Sequence, residues 1–180
     1  MSLVAMLWML SSAFAEDLDY AGQMAAAQTA MLAKDWTAAG AALAAAEKAA
    51  PSSPNLVSNA DIGRLYFLQG VLAYRSSGKI DSAMESWRKA LVLSPDYQPD
   101  KDILPEGDAQ DVFYALAEEQ RGKEQVALGL PEDPGDVMIF VDGRRFEPMD
   151  SVYLGTHFVQ LRCGDGNLVS TWYSFGSPPP

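Results

Sequence analysis

Two stretches of this chain share one pattern at a fixed offset, and that offset constrains the fold more than any other feature. "KDWTAAGAALAAAEKAAP" and "GKIDSAMESWRKALVLSP" close on Pro51 and Pro95, 44 residues apart. At the same offset Ala39 matches Ala83, Leu43 matches Trp87 and Ala46 matches Ala90. Each copy has a small residue, a large apolar one four further on, a small one three after that, and then proline. Small residues at a helix crossing let two antiparallel helices approach closely, and the bulky residue fills the space beside them. Proline after the second helix turns the chain into the next element. Internal repetition of this kind reads as stacked helix pairs.

The rest of the first 124 residues agrees. Residues 18–33 and 36–49 are rich in Ala, Met, Leu, Gln and Lys, which favour helix. "PSSPN" at 51–55 opens a loop. Helical periodicity returns at about 59–76, where Leu65, Leu68 and Leu72 mark one stripe and Phe67, Val71 and Tyr74 another. Gly78 suits a left-handed helix end. Further helices are predicted from about Ile80 to Leu93 and from about Ala109 to Arg121, with an irregular acidic stretch between them.

The texture changes near 125–135. "VMIFV" is an apolar run of strand type, "DG" at 142–143 signals a two-residue hairpin, and "HFVQLRC" and "LVSTWY" flank a second hairpin at "GDGN". The fold class expected is therefore α+β: a helical domain over 16–124, a linker over 125–136, a small sandwich-like β domain over 137–175 and a Pro-rich tail at 176–180.

Both halves resemble known families. The offset pattern is similar to the second-helix signature of the tetratricopeptide repeat, with copies at about 20–53 and 64–97 and the helix at 109–121 as a cap. Phe67, Gly70, Val71 and Tyr74 fall near that family's large, small and aromatic first-helix sites. The resemblance implies a scaffold whose concave groove holds a partner peptide or helix. In that register Met24, Gln28, Met31, Leu65, Leu68, Leu72 and Arg75 face the groove. The alternative is that these side chains bury against one another and the cap. The segment "DVMIFVDGRRFEPMDSVYLGTHFVQLRCGDG" resembles the PEGA domain, through Val141-Asp142-Gly143 and Gly155-Thr156-His157-Phe158-Val159. The naming tetrapeptide is replaced here by Phe146-Glu147-Pro148-Met149. That resemblance implies an extracytoplasmic domain that binds or spaces partners without catalysis.

The first fifteen residues, "MSLVAMLWMLSSAFA", carry no charge and end small-x-small before Glu16. They read as a secretory signal, although no Lys or Arg precedes the apolar run. A buried first helix is the alternative. The run is too short to span a bilayer, and no other segment approaches that length. An exported, periplasmic or extracytoplasmic location follows from the signal reading.

The inventory for chemistry is thin. A net charge of −11 repels nucleic acid. The single histidine, His157, and the single cysteine, Cys163, lie on one predicted strand, roughly 20 Å apart, too far to share a metal or act as a pair. His157 is expected as a hydrogen-bonded residue at a turn end and Cys163 as a small apolar one. No Gly-rich phosphate loop, HExxH or GxSxG occurs. These observations argue against an enzyme, and no cofactor is indicated. Asp96, Asp100, Asp102, Glu106, Asp108 and Asp111 crowd sixteen residues, which makes a calcium-responsive binding module the alternative function. Their spacing is not that of an EF-hand, and the other reading is a solvated loop in which Asp108 caps the next helix. Neither partner identity nor oligomeric state is legible.

Overall fold

The computed structural model describes residues 19–128 and 135–176. The stretch expected as a secretory signal, 1–15, and the last four residues of the Pro-rich end lie outside them. Among the described residues five α-helices are followed by small antiparallel sheets, an α+β arrangement as expected.

Helix α1 (Tyr20–Leu32) starts at Asp19, whose carboxylate accepts from the Gly22 N–H at 2.9 Å. Helix α2 (Trp36–Ala49) starts in the same way on Asp35, which accepts from Ala38 N–H at 3.0 Å. Such caps satisfy backbone donors that a helix leaves unpaired. A 3-10 turn at Ala50–Ser52 carries Pro51. Helix α3 (Asn59–Ser77) is capped by Ser58, which accepts from Asp61 N–H and donates to the Asp61 carboxylate. It ends on Gly78 at φ 69°, the left-handed position expected there. Helices α4 (Asp81–Leu93) and α5 (Asp108–Arg121) complete the helical part. One expectation fails locally: Asp108 is the first residue of α5 and makes no capping bond, because Gly107 holds the cap position. Asp108 and Asp111 act instead through their charge on the first turn of the helix.

The offset pattern becomes packing. Ala39, Leu43 and Ala46 of α2, and Ala83, Trp87 and Ala90 of α4, are all buried. Trp87 lies so close to α3 that only glycine fits opposite it. A Cβ on Gly70 would stand 2.4 Å from the indole. The indole N–H donates to Phe67 O at 3.3 Å. Phe113 of α5 then meets both Phe67 and Trp87 edge-on, at centroid distances of 5.4 and 5.7 Å. Those contacts seat α5 on the second helix pair.

The remaining elements are β1 (Gln125–Ala127), β2 (Met138–Val141), β3 (Arg144–Arg145), β4 (Ser151–Tyr153), β5 (Gly155–Arg162) and β6 (Leu168–Phe175). One sheet has the order β3-β2-β5-β6, and β1 pairs with β4 in a second. The stretch expected as linker thus begins as a strand: Gln125, Val126 and Ala127 pair with Tyr153, Val152 and Ser151. Val126 and Val152 pack with Val141 and Phe146 between the two sheets. Asp142 and Gly143 form the expected two-residue hairpin, with φ of 52° and 72°.

The helical and β parts are not strung on a tether. Phe158 of β5 belongs to the helical core and is fully buried. Trp172 of β6 meets Tyr66 of α3 edge-on at 5.8 Å. The buried Gln160 side chain accepts from Val57 N–H at 3.0 Å. A Cβ on Gly143 would fall 2.3 Å from Val57 O and 2.4 Å from Asn59 N, so the hairpin tip sits directly on the backbone that enters α3.

Gly70→Ala gains roughly 1 kcal/mol of helix propensity. The forced overlap with Trp87 costs about 1–3 kcal/mol, so a net loss is expected in urea denaturation. Gly40→Ala meets only the flexible end of Leu72 at 3.2 Å and is expected to be neutral or stabilising. Gln120 is buried and its amide has no hydrogen-bond partner among the described residues. Gln120→Leu is expected to raise stability by about 1 kcal/mol in the same measurement.

Candidate functional site

The seven residues expected to line a groove do not meet at one surface. Gln28, half-buried, and Met24, itself largely buried in the helical core, line a cleft of about 240 Å³ between α1, the loop at 53–57 and α3. Tyr20, Leu56, Asp61 and Arg64 complete its walls. The Tyr20 hydroxyl donates to Asp61 O at 2.8 Å and fixes α1 against α3. Its buried phenol is held well above the ordinary tyrosine range, burial being the main cause and Asp61 adding to it. Arg64 is partly exposed and lies 3.9 Å from the Asp100 carboxylate.

Met31, Leu65 and Leu68 do not reach a groove. Leu65 and Leu68 have no exposed surface, and Met31 is buried. The reason is the position of α3, which buries Ile62, Leu65, Tyr66, Phe67, Leu68 and Val71 around much of its circumference. Leu72 is half-buried against Gly40. Arg75 is exposed and lies over the Tyr74 ring, 5.6 Å from its centroid, near the far end of α3. Arg64, Asp61 and Tyr20 were not anticipated. The i, i+3 spacing of Asp61 and Arg64 was visible, but only the fold brings Tyr20 to them.

Two further clefts lie where the helical part meets the sheets. One, of about 720 Å³, has Tyr66, Arg88, Lys89 and Val92 on one side and Thr156 and Trp172 on the other. The Tyr66 hydroxyl donates to Glu47 at 2.8 Å, and Gln69 donates to the second oxygen of the same carboxylate at 2.9 Å. The other cleft, of about 450 Å³, has Asn59, Arg121, Arg144, Tyr153 and His157 in its lining.

His157 is the buried polar centre of the β part. Its Nδ1 lies 2.6 Å from Asp142 Oδ2 and its Nε2 lies 2.8 Å from Tyr153 O. The other Asp142 oxygen accepts from Phe158 N–H at 2.8 Å. A carbonyl oxygen only accepts, so Nε2 carries a hydrogen. A protonated Asp142 can donate its own hydrogen to Nδ1. Burial pushes the Asp142 carboxyl above its ordinary value, against the opposing pull of His157. These contacts tie the hairpin turn, β5 and β4 together, a structural task that agrees with a hydrogen-bonded His157. Cys163 is half-buried and unbridged.

The acidic loop is divided among single partners. Asp100 faces Arg64, Asp96 faces Arg121 at 3.7 Å, and Glu106 accepts from Lys101 at 2.8 Å. Among the described residues no three His, Cys, Asp or Glu side chains are placed to hold a metal ion together.

The folded chain holds the Asp142 proton more tightly than the unfolded chain. That contribution to stability is present below the ordinary carboxyl value of 3.8 and is lost as pH rises through the raised value. Asp142→Asn keeps the acceptor for Phe158 N–H, supplies a hydrogen to Nδ1 and does not titrate. Relative to Asp142→Asn, the melting temperature of the native chain is expected to fall from the carboxyl range towards neutral pH. Calorimetry across that range checks it, and a flat or rising difference would count against the assignment. No protein-family model matches the chain, and no curated protein or solved structure matches it significantly.

Proposed function

We propose that the chain is a non-catalytic interaction scaffold of an extracytoplasmic assembly, in which a tetratricopeptide-like helical part carries the partner site and a PEGA-like β part is docked on it. The observation that carries this reading is the equivalence of the two helix pairs. At the 44-residue offset, Ala39, Leu43 and Ala46 occupy the same buried roles as Ala83, Trp87 and Ala90. A small–large–small seam of that kind is what stacked helix pairs require.

The partner site we favour is the cleft of Met24, Gln28, Leu56 and Arg64. Methionine adapts to varied apolar anchors, while Gln28 and Arg64 supply polar and cationic contacts at its rim. A peptide or helix from a partner protein would fit this mixture. The use of His157 in a structural network supports the non-catalytic reading, because it removes the chain's one imidazole from open solvent. The uncharged leader supports export.

A photocrosslinking amino acid at Gln28, in the full chain expressed with its leader, tests the site. One light-dependent adduct is expected in the envelope fraction. It should be lost with Arg64→Glu and absent when the probe replaces Asn167 on the β5–β6 turn. No adduct from Gln28, or the same adduct from both positions, sinks the reading. Circular dichroism of Arg64→Glu separates loss of binding from loss of fold.

A further inference from the structure

The two edges of the larger sheet are built differently. At one edge, β3 is two residues long and both are arginine. Short strands and charge are the usual means of preventing edge pairing. At the other edge, β6 is eight residues long and reads "LVSTWYSF", with no charge, no proline and no glycine. It pairs with β5 on one side and with no strand on the other among the described residues. The 3-10 turn at Ala50–Ser52 lies near β6, but no backbone hydrogen bond joins the two.

The register fixes which backbone groups face outward. Asp142 N–H donates to Phe158 O at 2.7 Å, so the even-numbered residues of β5 turn towards β2. Cys163 N–H donates to Asn167 O at 2.9 Å, so the odd-numbered residues of β5 bond the odd-numbered residues of β6. Leu168, Ser170, Trp172 and Ser174 therefore direct their N–H and C=O groups away from the sheet. On one face of β6, Val169 is 58% exposed, Tyr173 is 54% exposed and Thr171 stands exposed midway between them.

We propose that β6 pairs antiparallel with β6 of a second copy of this chain, about a two-fold axis at Thr171. One antiparallel register engages all four outward-facing residues, setting Leu168 opposite Ser174 and Ser170 opposite Trp172. Each of those pairs exchanges two backbone hydrogen bonds. The same register sets Val169 opposite Tyr173 of the second copy, and Thr171 opposite its own counterpart. Aromatic–β-branched and Thr–Thr neighbours are favourable cross-strand pairs. A second copy also suits the charge distribution. In a chain of net charge −11, β6 is a stretch that two copies can bring together without opposing like charges. The arrangement is isologous and closes on itself, as two-fold dimers do. It uses neither the Met24–Arg64 cleft nor the reading that rests on it.

Sedimentation of the full 180-residue chain, from low to high micromolar concentration, tests the pairing. The mass is expected to double from 19.5 kDa as concentration rises. Thr171→Lys and Thr171→Asp are exposed substitutions, and each sets like charges opposite one another in the dimer. Each alone is expected to raise the dissociation constant by about tenfold. An equimolar mixture of the two should associate at least as tightly as the native chain. A native chain that stays monomeric throughout overturns the self-pairing and leaves the edge to a foreign strand. Variants that dimerise like the native chain, or a mixture no tighter than its components, overturn the Thr171 axis.

Discussion

The segment Val57–Asn59 is where the molecule is clamped. It leads the backbone into the first residue of α3, and Ser58 caps that helix. The same few atoms receive the Gln160 side chain and the Asp142–Gly143 hairpin tip. The entry to the central helix and the seating of the sheet are thus one geometric event. Asn59 adds to it by donating to Leu93 O at 2.6 Å, which ties the start of α3 to the end of α4. Both clefts at the junction of helices and sheet take their shape from this clamp, since each is walled by elements it holds in place.

Most of the helical architecture was legible because it rests on local rules. Alanine-rich runs, Gly78 at a helix end and prolines after Leu93 and Ala50 all act within a few residues. The Asp142-Gly143 hairpin was legible for the same reason: positive φ at two successive residues selects that pair. The offset of the two repeats also carried a longer-range fact, that Leu43 and Trp87 are both buried centres of a helix pair.

What was not legible depended on what covers what. The groove list treated α3 as a helix with an open face, but Leu65 and Leu68 are enclosed. No periodicity count separates an apolar stripe facing a partner from one facing the protein's own helices. Met24 and Gln28 keep a cleft because α1 is peripheral, a property of the element's place in the stack and not of its residues. The β1 strand was missed because three residues, Gln-Val-Ala, carry too short an alternation to register. Asp142 as the partner of His157 was hidden by its turn motif, which already accounted for an aspartate there. The acidic loop shows the same gap between nearness in sequence and placement in space. Six carboxylates close in sequence suggested a shared ligand, and in space Arg64, Arg121 and Lys101 take three of them separately.

The change of texture near residue 125 marks a border of secondary structure and not of cooperativity. Phe158 comes from the β part and is buried in the core of the helical part. A fragment ending at the last helix would leave that site as a void, and a fragment starting there would carry an uncovered phenylalanine. A single unfolding transition is the behaviour expected of the two textures. The chain therefore cannot be shortened or shuffled as two interchangeable modules, and a ligand that tightens either half is expected to stiffen the other through that shared side chain.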